Sequence, residues 1–498
     1  MIFTIENILL IGSILLFVSI IVARASYRFG VPTLLFFLAI GLLAGSEGLA
    51  GIEFDDPAMA KFIGVVSLCF ILFSGGLDTN WGSIRPVFWQ GFSLSTAGVL
   101  LTTVILGLFV WLITDFTIFE GLLLGAIVSS TDAAAVFSVL RSSRMALRST
   151  LRSTLEMESG SNDPMAYVLT ITFLTLVTTP AVGAGSMILL FVKQMGIGAL
   201  AGYIFGVASK HAINRIRLDF VGLYPVLVIA LMFITFSATD SIGGNGFLAI
   251  YIAAVYLGNQ DLIHKRSIIY VFDGLAWLMQ IILFLTLGLL VFPSQVLPVM
   301  GIGLLISLFL ILIARPLSVL ISLAPFRMPA GRRLFIGWVG LKGAVPIVFA
   351  TFPLIAGIDK ADMIFNIVFF VSVTSLILQG GLLRYVARLM RVVIPDNLRP
   401  VSAIEEFLRG GTKTAMKEIV VPPDSYCVDK KIVDLHIPAT VNIAMIKRGN
   451  RYIVPGGSTE IKGGDLLIVL ADKERSLIPF YECMNLEAPN ANLGNTVD

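Results

Sequence analysis

Glu156-Met157-Glu158-Ser159-Gly160-Ser161-Asn162-Asp163-Pro164 runs directly into Met165-Ala166-Tyr167-Val168-Leu169-Thr170-Ile171. Three carboxylates therefore sit at the head of an apolar run, 157–179, long enough to cross a bilayer, which takes about 20 residues. An ionisable group at membrane depth is costly, and it marks a pathway or a paired functional site. On a helix, Glu156, Ser159 and Asp163 share one stripe, and Glu158 and Asn162 a neighbouring one. A carboxylate and a hydroxyl one turn apart offer hard oxygens, which suit an alkali cation or a proton; no soft ligand is present to favour a transition metal. Pro164 withdraws an N–H, so the backbone is expected to loosen just past the pair.

The rest of the chain has the same character. Of its 498 residues 57% are hydrophobic and 13% charged, with a mean hydropathy of +0.92. A soluble domain has about 45–50% and about 25%. An ordinary soluble enzyme, a disordered chain and a nucleic-acid binder are excluded; a polytopic membrane protein remains. The net charge of +3 is uninformative, but its distribution is not: 26 charges fall in the last 103 residues and 41 in the first 395. One large membrane domain and one small soluble domain follow. Cys69, Cys427 and Cys483 make no CxxC, and His211, His264 and His436 lie in polar stretches without ligand spacing, so neither disulfides nor a zinc site are expected. Ala23-Arg24-Ala25 mimics a cleavage site, but Glu6 is the only charge before Arg24. A signal peptide needs a basic start, so a retained first span is expected.

A bilayer-length window places thirteen spans near 4–23, 31–46, 59–77, 87–114, 119–140, 157–179, 186–209, 221–239, 245–259, 268–291, 296–323, 333–355 and 362–390. The fourth and eleventh are long enough to suggest tilt. Odd-numbered loops carry the basic residues: Arg24 and Arg28; Arg85; Arg141, Arg144, Arg148 and Arg152; Lys210, Arg215 and Arg217; Lys265 and Arg266; Arg327, Arg332 and Arg333. Even-numbered loops are acidic or neutral, with Glu47, Glu53, Asp55 and Asp56, then Asp115 and Glu120, then Asp240; Lys360 is their one basic residue. Since cytoplasmic loops hold the Lys/Arg excess, the N-terminus is expected outside and the C-terminal domain in the cytoplasm.

Two other spans are interrupted. The fifth reads Ile127-Val128-Ser129-Ser130-Thr131-Asp132-Ala133; mid-span residues that bond their own backbone can support a break and free carbonyls for a cation. The twelfth reads Gly337-Trp338-Val339-Gly340-Leu341-Lys342-Gly343-Ala344-Val345-Pro346. Interrupted spans in corresponding positions of two halves point to a transporter site, and a separation of seven spans suits an inverted repeat. An unpaired cation at Lys342 would be too costly, so it is expected to balance a buried acid, Glu158 being the first choice. Arg315, Lys193 and Asp273 are read as snorkelling toward an interface.

Together these residues resemble the sodium–proton exchanger type of cation/proton antiporter. Asn162-Asp163 matches that family's Asn-Asp motif and Thr131-Asp132 its fifth-helix Thr-Asp. Glu158 stands where the electroneutral branch has its acid, Gly340–Ala344 matches Gly-Leu-Arg-Gly-Ala, and Phe73–Leu77 is similar to Phe-x-x-Gly-Leu. The resemblance covers about residues 1–390. It implies an all-α membrane domain of about thirteen helices with inverted repeats, and a homodimer. It implies that Asp163 carries the exchanged proton or monovalent cation, with Thr131, Ser159, Asp132 and Asn162 completing the site. Glu158 and the twelfth-helix base then form a structural ion pair, and Glu156 is a possible accessory acid. Lysine at 342 departs from the family's arginine and cannot form the bidentate fork.

The membrane domain is expected over 1–391, a linker over 392–416, a small α+β domain over 417–484 and a polar tail over 485–498. In the cytoplasmic domain, Gly449-Asn450 lies between strand-like runs, a hairpin signal. Pro455-Gly456-Gly457, Gly463-Gly464-Asp465 and the apolar Leu466–Leu470 resemble the C-terminal regulator-of-potassium-conductance domain. That resemblance implies an unidentified small-molecule ligand and tilts the cargo toward K+ over Na+. Potassium-linked relatives can carry a further cytoplasmic domain, which leaves room for this chain to be a shortened form.

The expected activity is alternating access with one site for a cation or a proton, electroneutral, in the bacterial plasma membrane, with no cofactor, no enzyme chemistry and no nucleic-acid partner. The P-loop pattern is absent, which speaks against an ATP-driven pump. A ligand-gated channel lacks a repeated filter sequence. An intramembrane aspartyl protease would need Tyr-Asp and Gly-x-Gly-Asp. An organic-anion symporter would want a second core cation besides Lys342.

Overall fold

The computed structural model describes residues 5–29, 32–142, 145–179, 183–394, 415–423, 425–438, 440–449, 451–471 and 477–484. Arg144, Asn450, residues 395–414 of the expected linker and the tail 485–498 lie outside them. The chain divides into two compact units, Met1–Leu398 and Arg399–Asp498.

The first unit is helical. Its elements are α1 (Ile5–Phe29), α2 (Thr33–Ala44), α3 (Pro57–Asp78), α4 (Trp81–Ile113), α5 (Ile118–Ile127), α6 (Ala133–Ser142), α7 (Ser149–Thr178), α8 (Ala184–Arg215), α9 (Leu223–Ser241) and α10 (Gly246–Gly258). They continue with α11 (Lys265–Leu289), α12 (Pro293–Ser322), α13 (Ala330–Trp338), α14 (Ala344–Ala356) and α15 (Ala361–Leu389). Each expected span is helical; the fifth is split into α5 and α6, the twelfth into α13 and α14. Among the described residues seven helices are long and apolar enough to cross a membrane, α3, α4, α8, α9, α11, α12 and α15, and five apolar helices are shorter.

Local chemistry sets the helix starts. Asp56 caps α3 with Pro57 in its first turn, where a missing N–H is harmless. Thr117 and Glu120 form a reciprocal capping box on α5, satisfying two donors that a helix start leaves open. The two long spans contain irregular turns: a 3₁₀ turn over Arg85–Val87 and a π turn over Leu94–Gly98 in α4, and a π turn over Leu310–Ala314 in α12. Contrary to the expectation of a loosened backbone at Pro164, α7 runs through it unbroken. Neighbouring helices can re-satisfy backbone groups around a membrane proline. Beside it, Asn245 Nδ2 donates to Pro164's own carbonyl at 2.8 Å, tying α7 to the start of α10, which Asn245 Oδ1 caps.

Helices approach closely where side chains vanish. Gly198 of α8 meets Asn245, the cap of α10, and Gly202 and Gly206 meet Ala249 and Ala253 of α10; a Cβ on Gly202 would stand 2.6 Å from the Ala249 carbonyl oxygen. Small residues at every fourth position allow such contact between membrane helices. A two-residue ladder pairs β1 (Ala146–Leu147) antiparallel to β2 (Val393–Ile394).

The second unit holds an antiparallel sheet of β3 (Ala415–Val420), β4 (Val441–Arg448), β5 (Arg451–Ile453) and β6 (Leu466–Ala471), ordered β3-β6-β4-β5, with α16 (Leu477–Met484). Val441, Ile443, Ile446, Leu467, Val469 and Phe480 form part of its core. The Gly449 turn has φ +58, a left-handed conformation that glycine adopts freely. Asp465, 1% exposed, accepts two hydrogen bonds from the Arg448 guanidinium, both 2.8 Å, and one from the Lys462 N–H. Burial pushes its carboxyl up, but these bonds and the nearby positive charges outweigh burial and hold it below the usual carboxylate range.

Candidate functional site

The two interrupted spans meet at their breaks. Residues 128–132 separate α5 from α6, and 339–343 separate α13 from α14. The Asp132 N–H donates to the Leu341 carbonyl at 2.8 Å, joining one break to the other. Asp132 Oδ1 accepts from the Ala135 N–H at 3.1 Å, so this carboxylate caps the start of α6, where the helix dipole favours negative charge.

The polar stripe of α7 faces the first break. Ser159 Oγ donates to the Thr131 carbonyl and accepts from the Ala133 N–H, both at 3.1 Å. Asn162 Nδ2 donates to the Thr131 carbonyl at 3.3 Å and to Thr131 Oγ1 at 2.5 Å. Ser130 Oγ donates to Asp163 Oδ1. Asp163 is 8% exposed and Asn162 fully buried. Asn162 Oδ1 has no hydrogen-bond partner among the described residues, an unused buried acceptor beside a carboxylate and a hydroxyl. Hard oxygens in this number, with no cluster of three or more His, Cys, Asp or Glu among the described residues, fit a monovalent cation better than a divalent one. The structure thus brings Asp163, Asp132, Thr131, Ser159 and Asn162 to one place.

It does not join Glu158 to Lys342 by a direct contact, although the two charges stay within electrostatic reach of each other. Glu158, 1% exposed, is bound by the guanidinium of Arg315, 2% exposed. The expected Glu158–Lys342 pair is corrected to Glu158–Arg315, and the expected snorkelling of Arg315 is withdrawn. The reason lies in the reach of each cation. Arg315 immediately follows the π turn of α12, and its guanidinium points at α7. Lys342 Nζ instead donates to the carbonyls of Ser129 at 3.2 Å and Ser130 at 2.9 Å. Those carbonyls lie just past the C-terminal end of α5, at the negative pole of a half-helix. Asp273 is exposed and accepts from Ser74 of α3 at 3.0 Å. Lys193 is exposed. Glu156 is held by Arg152 one turn back at 2.8 Å and stands apart from the oxygen cluster.

Three positions of this hydrogen-bond network escaped the sequence reading. Ser130 stood in the quoted run, but backbone in a break has no period from which its direction could be read. Ser375 and Gln379, on α15, bind the second break: the Lys342 N–H donates to Ser375 Oγ at 3.0 Å, and Gln379 Nε2 to the Trp338 carbonyl at 2.6 Å. Their signal was polar residues one turn apart in an otherwise apolar span.

Similarity to known proteins agrees with this geometry. The family description "Sodium/hydrogen exchanger, transmembrane" matches residues 13–389, and "TrkA-C domain" matches 416–477. The chain is 40% identical over 477 residues to the K(+)/H(+) antiporter NhaP2 of Shewanella sp. (strain MR-4), covering 95% of this chain and 82% of the relative. It is 39% identical over 465 residues to the K(+)/H(+) antiporter NhaP of Alkalimonas amylolytica, covering 93% and 81%. The solved structure of the sodium proton antiporter MjNhaP1 from Methanocaldococcus jannaschii at pH 8 shares the fold, with a TM-score of 0.66 at 24% identity over 75% of this chain and 99% of that one.

Proposed function

Because this chain belongs to the sodium/hydrogen exchanger family, we propose that its proton-coupled cation antiport runs through Asp163, with K+ as the favoured cargo. The observation that carries the reading is the buried Asp163 carboxylate, held by Ser130 and set beside the Thr131 oxygens and the unpartnered Asn162 Oδ1. One carboxylate cannot keep a proton and a cation together. Occupancy by one expels the other, and alternating access to the two membrane faces turns that competition into exchange. Thr131, Ser159 and Asp132 serve the cation as further oxygens or as their supports.

The Glu158–Arg315 contact is read as structural, leaving Asp163 as the one group that carries the exchanged proton. One proton then exchanges for one monovalent cation, and transport is electroneutral. The names of the 39–40% identical relatives and the TrkA-C match support K+ as cargo. The basic odd-numbered loops support an outside N-terminus and a cytoplasmic C-terminal domain in the bacterial inner membrane. We assign 1–391 to transport, 392–416 to a linker, 417–484 to regulation by a small molecule and 485–498 to a tail, and expect the protein to work as a homodimer.

The test uses purified protein in liposomes holding a pH-sensitive dye, with an outward proton gradient. Adding K+ outside should dequench the dye, unaffected by clamping the membrane potential, while Na+ should act weakly. Asp163→Ala should abolish the response in a protein that still elutes as the folded species. An equal Na+ response would make the protein a general Na+ and K+ exchanger. Full activity in Asp163→Ala would remove the proposed site.

A further inference from the structure

The second break is held from outside the family motifs. Where α13 ends at Trp338, the terminal carbonyls lose their helical partners, and where α14 begins at Ala344 the preceding N–H groups have none. In a membrane interior an unsatisfied backbone group costs several kcal/mol. Two side chains one turn apart on α15 meet this need at both ends. Gln379 Nε2 donates to the Trp338 carbonyl at 2.6 Å, and the Lys342 N–H donates to Ser375 Oγ at 3.0 Å. Ser375 Oγ in turn donates to Gln379 Oε1 at 2.5 Å. The bonds form one directed line: Lys342 N–H to Ser375, Ser375 to Gln379, Gln379 to Trp338. Ser375 is fully buried and Gln379 is 1% exposed.

What this line fixes is the backbone from which Lys342 reaches across. Lys342 Nζ spans to the Ser129 and Ser130 carbonyls, and Ser130 is the residue whose hydroxyl holds Asp163. The Leu341 carbonyl, one residue earlier, accepts from Asp132 N. Backbone placement at 341–342 therefore reaches Asp132 through one hydrogen bond and Asp163 through two.

We propose that Ser375 and Gln379 are positioning residues for cation binding: a clamp from α15 that spans the break of the twelfth helix and sets how Lys342 and Leu341 hold the fifth. The inference rests on the reading of Asp163 as the cation site. Neither side chain touches the cargo. Their effect is on affinity, because a loosened break spoils the oxygen geometry more than the movement that carries it across.

The experiment is initial-rate antiport in liposomes with KM and Vmax for K+ determined separately. Gln379→Leu strands the Trp338 carbonyl and takes the Ser375 acceptor away. It should raise KM about tenfold or more, since one buried hydrogen bond is worth about tenfold and two are lost, with Vmax within about twofold of wild type. Ser375→Ala should do the same. Ser375→Thr, which keeps an oxygen at the position, should restore KM. If Gln379→Leu does not fold, Ser375→Ala and Ser375→Thr decide alone. Unchanged KM in the folded variants, a fall in Vmax alone, or a Thr variant as impaired as Ala overturns the clamp. Asp163→Ala is assayed in parallel: if it transports fully, the fault lies with the site and not with the clamp.

Discussion

The fifth and twelfth spans break in the same way and use their breaks oppositely. The fifth, at 128–132, is rich in oxygen: two serines, a threonine and a carboxylate. Its loose ends are met by Ser159 and Asn162 of α7 and by Lys342. The twelfth, at 339–343, holds two glycines and a cation, and its loose ends are met by Ser375 and Gln379 of α15. One break presents oxygens; the other brings the charge and the clearance that let those oxygens crowd together. Two broken helices of the same polarity would repel or leave donors idle. Opposed in chemistry, each completes the other, and the bond from Asp132 N–H to the Leu341 carbonyl is where they join.

The sharpest way to break this comparison is to remove the two core cations in turn. Arg315→Leu leaves the buried Glu158 carboxylate uncompensated and should lower stability by about 3–5 kcal/mol, read as a large fall in melting temperature in detergent. Arg315→Leu with Glu158→Leu should recover most of that loss, since an apolar pair can replace a buried ion pair nearly neutrally. If the double variant is no more stable than the single one, the pair is not the unit described here. Lys342→Met, by contrast, strips a cation whose hydrogen-bond partners are carbonyls. It should abolish dye-detected transport with a smaller loss of stability, and Lys342→Arg should retain transport.

The two glycines of the twelfth break sharpen the contrast further. A Cβ on Gly343 would lie 2.5 Å from Asp132 Oδ2 and 3.0 Å from its Cβ; one on Gly340 would lie 2.8 Å from Arg315 Nε. Gly343→Ala must displace the carboxylate that caps α6, and transport should fall roughly tenfold or more, in keeping with small misplacements at a site. Gly340→Ala presses on the structural pair and should appear as a loss of about 1–3 kcal/mol of stability with the smaller change in rate. The reverse assignment would show that the two glycines do not divide the break between ligand and ion pair.

How far the sequence could lead is clear from the same residues. Thirteen helical runs were legible because a bilayer demands apolar length and the loop charges check the count. The breaks were legible because serine, glycine and proline disrupt helices by their own chemistry. Which cation meets Glu158 was not, because that depends on helix rotation. The π turn at Leu310–Ala314 inserts a residue and turns everything after it, Arg315 first, by about 100° relative to a regular wheel. Nor was Gln379 legible: a polar residue in an apolar span reads as interfacial until the carbonyl it serves, 41 residues away, is known.

The smallest effect is expected outside the membrane, where the ion pair Arg448–Asp465 offers a contrast to Glu158–Arg315. Arg448 is partly open to water, its side chain 33% exposed, so losing its partner strands no buried cation. Asp465→Ala should lower protection of the β4 and β6 amides in the full-length protein by roughly tenfold, about 1.4 kcal/mol, as measured by hydrogen exchange. The pH dependence has a definite sign. The Asp465 carboxyl is held below its usual value, so its contribution is complete above the unfolded value of about 3.9. It drains away as pH falls through the lower folded value. The gap in protection between wild type and Asp465→Ala should therefore be constant from pH 7 to about 5 and close below about 4. A gap that instead persisted undiminished into strong acid would mean that the side chain's packing, and not its charge, supports the sheet.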